Sequence, residues 1–187
     1  MRKFFASILE ILEIAVVAIV AVFVIRSFLV QPFLVSGSSM VPTFSNGDYL
    51  LVDELTYRVR LPERGEVIVF RPPVDPSTYF IKRIIGLPKE RVVLGDGKVE
   101  VFNTSTPSGF SISENYLPQQ FQPIGRQEFD LKPDEYLVFG DNRGASFDSR
   151  SWGPLKKDAI VGLVRLRLWP LATFRAFAVP HYQTQKL

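Results

Sequence analysis

Residues 91–102 read RVVLGDGKVEVF, and this stretch decides the fold class. Two short valine-rich runs flank Gly95-Asp96-Gly97, which is the pattern of two strands joined by a tight hairpin turn. Similar short apolar runs separated by turn residues fill the chain from Pro42 to Leu163, and none keeps the periodicity of a helix. The sequence therefore predicts a mostly β fold of short antiparallel strands in a closed or sandwiched domain.

The other predicted elements follow from the same kind of run. Strands are predicted at residues 49–52, 66–70, 79–85, 136–139 and 160–164. Residues 103–130 are richer in Ser, Thr, Gln and Pro, so we expect a loop-rich excursion between strands there. Residues 163–179 are apolar but carry three arginines, and we expect a strand followed by a segment on the protein or membrane surface.

A long apolar stretch precedes the predicted β domain. It runs with interruptions over residues 4–35, and its unbroken centre is residues 14–25. A helix over residues 8–30 would be roughly 34 Å long at ~1.5 Å per residue, which is enough to cross a bilayer. Pro32 would end this helix, because the residue before a proline disfavours the α conformation. The stretch therefore predicts one N-terminal transmembrane α-helix.

The charges that flank this helix predict its orientation. Arg2 and Lys3 favour a cytoplasmic N-terminus. We therefore expect residues 1–32 to form a cytoplasmic stub with a single membrane anchor, and residues 33–187 to form an extracytoplasmic β domain. A cleaved signal peptide is the rival interpretation, but the small residues it needs come at residues 36–38, well past the apolar centre.

The composition excludes several classes of function. The chain has 187 residues, a net charge of +3 and no long basic run, which argues against nucleic-acid binding. It has no cysteine, so it has no disulfide, thiolate nucleophile or cysteine-based metal site. The single histidine, His181, lies near the C-terminus, and a Ser-His-Asp triad would need this tail to fold back into a site. A zinc site of the HExxH type is excluded because it needs two histidines.

Residues 35–44 read VSGSSMVPTF and bring a cluster of hydroxyls just beyond the apolar stretch. A serine on such an irregular turn can present its hydroxyl outward, although a plain Ser/Gly linker is the alternative. If Ser39 is a nucleophile, a lysine in an apolar site is the remaining candidate for its base. Lys82 fits this role, since alternation in a strand places it on one face with Phe80 and Ile84. Arg83 would then point outward; the alternative for Lys82 is an exposed lysine on an edge strand.

A third segment, residues 140–153, reads GDNRGASFDSRSWG and is unusually polar for a stretch between a strand and an aromatic residue. Such side chains can form a buried, mutually satisfied network around a site, although a solvated turn is the alternative.

Together, residues 36–43, 80–88 and 140–153 resemble three motifs of the type I signal peptidase family, and residues 64–70 resemble a weaker fourth block. The members of this family are membrane-bound Ser-Lys proteases that remove signal peptides. The four blocks follow in the family's order behind an apolar N-terminal stretch, so the resemblance covers nearly the whole chain. It implies a signal-peptidase-like β fold.

The resemblance also implies roles for individual residues. Ser39 is expected to be the nucleophile, with its backbone N–H in the oxyanion hole, and Lys82 the general base. Ser146 would hydrogen-bond and orient the Lys82 amine. Asp148 and Arg150 would form a supporting ion pair. No metal, nucleotide or other cofactor is expected.

The resemblance further predicts the substrate pockets and one departure from the family. Shallow pockets for small side chains would be shaped by Val35, Met40, Phe44, Phe80 and Ile81. Phe33, Leu34 and Met40 could dip into the lipid surface. Gly37 stands where some relatives carry a serine that donates a second oxyanion hydrogen bond, so this donor must be absent or replaced.

The partners and location implied by the resemblance are those of a protease that acts on exported proteins. We expect preproteins with signal peptides as substrates, contact with the lipid bilayer, a monomer, and proximity to the export translocon. The expected location is the plasma membrane, with the thylakoid membrane as the alternative. Three other functions remain open: a Ser-Lys protease of the same fold with one dedicated substrate, a self-cleaving regulator, and a catalytically silent anchored β module that binds exported proteins.

Overall fold

Short antiparallel strands make up most of the structure, a computed structural model that describes residues 10–20, 30–95, 97–114, 116–118, 126–178 and 184–186. The described strands are β1 (Val30–Leu34), β2 (Tyr49–Asp53), β3 (Val67–Phe70), β4 (Phe80–Gly86), β5 (Arg91–Gly95), β6 (Lys98–Asn103), β7 (Thr106–Ile112), β8 (Gln127–Asp130), β9 (Glu135–Phe139), β10 (Leu155–Lys156), β11 (Ile160–Trp169), β12 (Arg175–Ala176) and β13 (Thr184–Lys186). The described helices are α1 (residues 10–20), α2 (Thr56–Val59) and α3 (Ser149–Trp152). The predicted mostly β, antiparallel fold is therefore confirmed.

The strands form two sheets. The first sheet has the order β1-β2-β11-β3-β4-β9-β10, and β12 adds to β11. The second sheet has the order β13-β7-β6-β5-β8. β5 and β6 form the predicted hairpin, with Arg91 opposite Phe102 and Gly95 opposite Lys98. The stretch expected to be rich in loops, residues 103–130, contains β7 and β8, which pair with the two strands of the hairpin.

Alternation along the hairpin strands produces the core between the two sheets. Val92 and Leu94 of β5 and Val99 and Val101 of β6 are buried on one face. They pack against apolar residues of β4 and β9, including Phe139. Two further apolar clusters cover the two faces of the first sheet. As a result β3 and the second half of β4 are buried on both faces.

The N-terminal part of the structure contains a helix and then an edge strand. Residues 10–20 are helical and exposed, while Val30–Leu34 form an edge strand that pairs with β2. The predicted helix would end near residue 30, and residue 30 already belongs to this strand, because residues 30–34 gain strand partners and a proline is tolerated on an edge strand. Within the described ranges no helix is long and apolar enough to cross a membrane. The rest of the predicted anchor, residues 1–9 and 21–29, lies outside the described residues.

Candidate active site

Residues 35–44 form a hydrogen-bonded turn. Val35 N donates to Asp48 O at 2.9 Å, and Phe44 N donates to Met40 O at 2.8 Å. The side chains of Val35, Met40 and Phe44 are buried in one cluster beneath the turn. The linker alternative is therefore wrong, because both the backbone and the apolar side chains of this segment are fixed against the first sheet. Ser39 lies on this turn with its side chain half-buried.

Lys82 lies directly opposite Ser39. Its Nζ donates to Ser39 Oγ at 2.8 Å and to Ile81 O at 2.9 Å. β4 lies between β3 and β9, so Lys82 is not on an edge strand, and only 4% of the residue is exposed. Nζ is 5.3 Å from the ring centre of Phe80, which shares its face as alternation predicts. The site therefore joins two segments that are 43 residues apart in sequence.

Burial changes the acidity of this amine. It lowers the Lys82 pKa from 10.5 to about 8, while the negative charges of Asp148 and Asp141 act in the opposite direction. The neutral form of Lys82 is therefore far more populated near neutral pH than that of an ordinary lysine. A neutral amine hydrogen-bonded to a hydroxyl can accept its proton as that hydroxyl attacks a carbonyl.

The next residue along β4, Arg83, does not point into solvent as expected. Its guanidinium is buried and binds Asp141 through two hydrogen bonds of 2.8 and 2.6 Å. Thr43, at the end of the nucleophile turn, also donates to Asp141. The expectation was wrong because both faces of this part of the sheet are covered, so the residue opposite a buried lysine is buried too. Arg83 and Asp141 thereby connect β4, the polar segment and the turn.

The polar segment 140–153 packs directly against the nucleophile turn. Asn142 N donates to Ser39 O at 3.0 Å, and Asn142 Nδ2 donates to Ser38 O at 3.2 Å. A methyl group at Gly140 would overlap Ser39 O and the Ser146 hydroxyl, so only glycine fits there. The solvated-turn alternative is therefore wrong for this part of the segment.

Asp148 and Arg150 form the ion pair that the resemblance implied. Arg150 Nε donates to Asp148 Oδ1 at 2.8 Å, and Arg150 Nη2 donates to Asp148 Oδ2 at 2.8 Å. Asp148 also accepts a hydrogen bond of 2.9 Å from Gly140 N. Burial by itself would raise the pKa of Asp148, but the hydrogen bonds and charge of Arg150 hold it below its ordinary value. Asp148 therefore carries a negative charge behind the Ser39–Lys82 pair.

Ser146 does not make the expected contact with Lys82, and Gly37 supplies no side-chain donor. The Ser146 hydroxyl lies against Gly140 and contributes to lowering the pKa of Asp148, while Lys82 is bound to Ser39 and to a backbone carbonyl instead. Gly37 has a φ of +98°, and its N–H donates to Asn46 Oδ1 at 2.9 Å. No atom lies within 4 Å of the position that a Gly37 side chain would occupy. Gly37 therefore shapes the turn. Open space lies beside it, at the position where a serine side chain would place a second oxyanion donor.

A cleft of about 60 Å³ lies between β1 and β4. Its lining includes three of the five predicted pocket residues, Val35, Phe80 and Ile81. The other two, Met40 and Phe44, are 1% and 0% exposed and pack in the core beneath the turn. The sequence alone does not distinguish a pocket residue from a core residue, because large apolar side chains line both pockets and cores.

Two further residues at the site were not assigned a role from the sequence: Asn142, although it lies in the polar segment, and Glu114. Asn142 binds the nucleophile turn through both its backbone and side-chain N–H groups, and Glu114 binds Arg143 in the same segment. Glu114 lies 29 residues from Arg143, so no local pattern connects them. His181 lies outside the described residues. Within the described ranges, no group of three or more His, Cys, Asp or Glu side chains is arranged to hold a metal ion.

A serine hydroxyl hydrogen-bonded to a buried lysine amine is the arrangement of a serine hydrolase, and the comparisons with known proteins agree. The family model described as signal peptidase, peptidase S26, matches residues 8–169. A probable signal peptidase I-2 of Synechocystis sp. is 36% identical over 156 residues, which cover 79% of this chain and 66% of that protein. Signal peptidase IB of Staphylococcus aureus is 30% identical over 164 residues, which cover 82% of this chain and 85% of that protein.

The chain therefore belongs to the signal peptidase family, peptidase S26. It spans just under two thirds of the length of the Synechocystis relative. A crystal structure of a signal peptidase I from Enterococcus faecalis aligns with a TM-score of 0.47 and 26% identity, over 56% of this chain and 97% of that one.

Proposed function

We propose that this protein is a membrane-anchored serine endopeptidase that removes N-terminal signal peptides from exported preproteins. The observation that carries the proposal is the 2.8 Å hydrogen bond between Lys82 Nζ and Ser39 Oγ, made by an amine whose pKa burial lowers to about 8. Membership of the signal peptidase family supports the substrate class.

The proposed reaction is acyl transfer through the Ser39 hydroxyl. Neutral Lys82 takes the proton as Ser39 Oγ bonds to the scissile carbonyl carbon, and the carbonyl oxygen becomes an oxyanion that the Ser39 N–H stabilises. The C–N bond then breaks, and the leaving amine takes the proton from Lys82. Water, deprotonated by Lys82, attacks the acyl-enzyme, and the serine hydroxyl is restored as the acid product leaves.

We propose that the cleft between β1 and β4 holds the small side chains of the signal peptide that precede the cut. Val35, Phe80 and Ile81 support this, because they give the cleft shallow apolar walls next to Lys82. A cleft of about 60 Å³ is small, which is in keeping with small side chains next to the cut.

We also propose that the apolar N-terminal stretch anchors the enzyme with its N-terminus in the cytoplasm and its sheets on the outer side of the plasma membrane. The apolar centre at residues 14–25 and the preceding Arg2 and Lys3 support this orientation. The anchor would bring the catalytic turn to preproteins as they emerge from the export translocon.

The decisive experiment is cleavage of a preprotein with an Ala-x-Ala site in detergent. The wild type should release the signal peptide, and Ser39→Ala and Lys82→Ala should each reduce kcat by at least about a thousandfold. Ser38→Ala is the matched control, because Ser38 is exposed and the Lys82 amine is bound to Ser39 instead; it should retain most activity. Normal cleavage by Lys82→Ala would refute the proposed base.

A serine-reactive acylating agent tests the same site without a preprotein. It should add one acyl group to the wild type and none to Ser39→Ala, as read by intact mass. Absence of acylation together with tight preprotein binding would instead support a catalytically silent binding module. A panel of unrelated preproteins would separate a general signal peptidase from a protease with one dedicated substrate.

A further inference from the structure

Glu114, which follows β7 in the second sheet, forms a buried ion pair with Arg143 of the polar segment. Arg143 Nη1 donates to Glu114 Oε2 at 2.7 Å, and Arg143 Nη2 donates to Glu114 Oε1. The two side chains are 0% and 2% exposed. The pair is therefore a fully desolvated connection between the second sheet and the segment that packs on the catalytic turn.

Arg143 passes this connection on to Gly140. Arg143 Nε donates to Gly140 O at 3.0 Å, while Gly140 N donates to Asp148 at 2.9 Å. The carbonyl group of Gly140 is thus bound by Arg143, and its N–H group is bound by Asp148. Gly140 lies so close to Ser39 O that a side chain would not fit between them. Its position therefore sets the closest approach of the polar segment to the nucleophile.

A second contact of Glu114 leads toward the base. Tyr116 OH donates to Glu114 Oε1 at 2.6 Å, and the Tyr116 ring lies 4.4 Å from the guanidinium carbon of Arg83. Arg83 is the neighbour of Lys82 on β4 and is bound to Asp141 in the polar segment. Glu114 is therefore linked to the surroundings of both members of the catalytic pair without touching either.

We propose that Glu114 is a positioning residue that holds the Ser39 turn in register with Lys82. This inference rests on the proposed function, since it concerns the same serine–lysine pair. When one partner of a buried ion pair is removed, the other remains as an uncompensated buried charge. Arg143 would then move toward solvent or another acceptor, release Gly140 O, and loosen the support behind Ser39. Small displacements of reacting groups reduce catalysis much more than they reduce substrate binding.

The first test compares Glu114→Gln with Glu128→Gln in preprotein cleavage by the full chain. Glu128 is the matched control, because it forms an ion pair with Arg91 in the same sheet but both side chains are about half exposed. Glu114→Gln should lower kcat by about tenfold or more with KM within about twofold, and Glu128→Gln should leave both unchanged. Equal kcat in the two variants would overturn the proposal.

A second variant separates positioning from stability. The double change Glu114→Leu with Arg143→Met removes both buried charges, and such replacements commonly recover folding stability. It also leaves Gly140 O without its donor, so we expect a recovered melting temperature but a kcat that stays low. Recovery of kcat together with stability would show a purely structural role and would overturn the proposal.

Amide hydrogen exchange supplies a readout that needs no activity. The Asn142 amide, which donates to Ser39 O, should exchange faster in Glu114→Gln than in Glu128→Gln, while amides in β2 should not differ. Unchanged exchange at Asn142 would count against the proposal. If the wild type fails to cleave any preprotein while Asn142 exchange still responds to Glu114→Gln, the proposed function fails and the positioning role stands.

Discussion

The pH dependence of cleavage tests the role of Lys82 quantitatively, because the proposed reaction needs its neutral amine. Burial moves the pKa of Lys82 from 10.5 to about 8, which corresponds to about 3 kcal/mol in favour of the neutral form. About half of the amine is then neutral at pH 8, about a tenth at pH 7 and about a hundredth at pH 6. An unperturbed lysine would be neutral in only about one molecule in three thousand at pH 7.

The measurement is kcat/KM for an Ala-x-Ala preprotein from about pH 5.5 to pH 10, since this quantity reports the free enzyme's essential groups. We expect a tenfold fall for each pH unit below about 7 and a plateau above about 9. Competitive acetylation of Ser39→Ala, followed by mass spectrometry, should independently give a Lys82 pKa near 8, because that variant keeps the buried amine without turnover. A flat profile from pH 6 to 8, or a Lys82 pKa near its ordinary value, would refute the reasoning.

Three further outcomes are expected. Gly140→Ala should reduce cleavage by at least about a hundredfold because its methyl group displaces Ser39 O, whereas Gly144→Ala, with open space around it, should be neutral; equal activities would contradict this packing argument. Asp141→Asn should lower the free energy of unfolding, measured by urea titration, by about 3 kcal/mol, because it leaves the buried Arg83 without its full countercharge. Arg91→Gln, which removes one partner of an exposed ion pair, should lower it by less than about 1 kcal/mol. Cleavage should persist in excess chelator, and loss of activity that added metal restores would contradict the scheme.

The strands were predictable wherever turn residues bracket a short apolar run. The hairpin at residues 91–102 formed as expected because its glycines permit the turn and its valines alternate toward one core. Residues 103–130 misled the prediction, since polar composition looks the same in a loop and in a strand that faces solvent on one side. The strand at residues 30–34 was not predicted, because an apolar run that follows a helix pattern can equally pair with a neighbouring strand.

The candidate site was predictable only where short motifs identify it. Ser39 and Lys82 follow from their motifs, whereas the burial of Arg83 depends on Asp141 and Tyr116, which only folding brings next to it. Glu114 could not be found, because an isolated glutamate in a polar stretch carries no mark of a partner that folding brings near. Ser146 occupies the expected neighbourhood, but its hydrogen bonding depends on side-chain directions that sequence patterns do not contain.

β1 has a mechanical consequence for an enzyme attached to a membrane. Its five residues are paired with β2 along their full length, and the catalytic turn begins at the next residue. At ~3.3 Å per residue the strand spans about 17 Å, and a paired strand neither coils nor stretches as a linker does. In the proposed anchored enzyme, the catalytic turn is therefore preceded by a fixed strand, so any movement of the turn relative to the bilayer carries the first sheet with it.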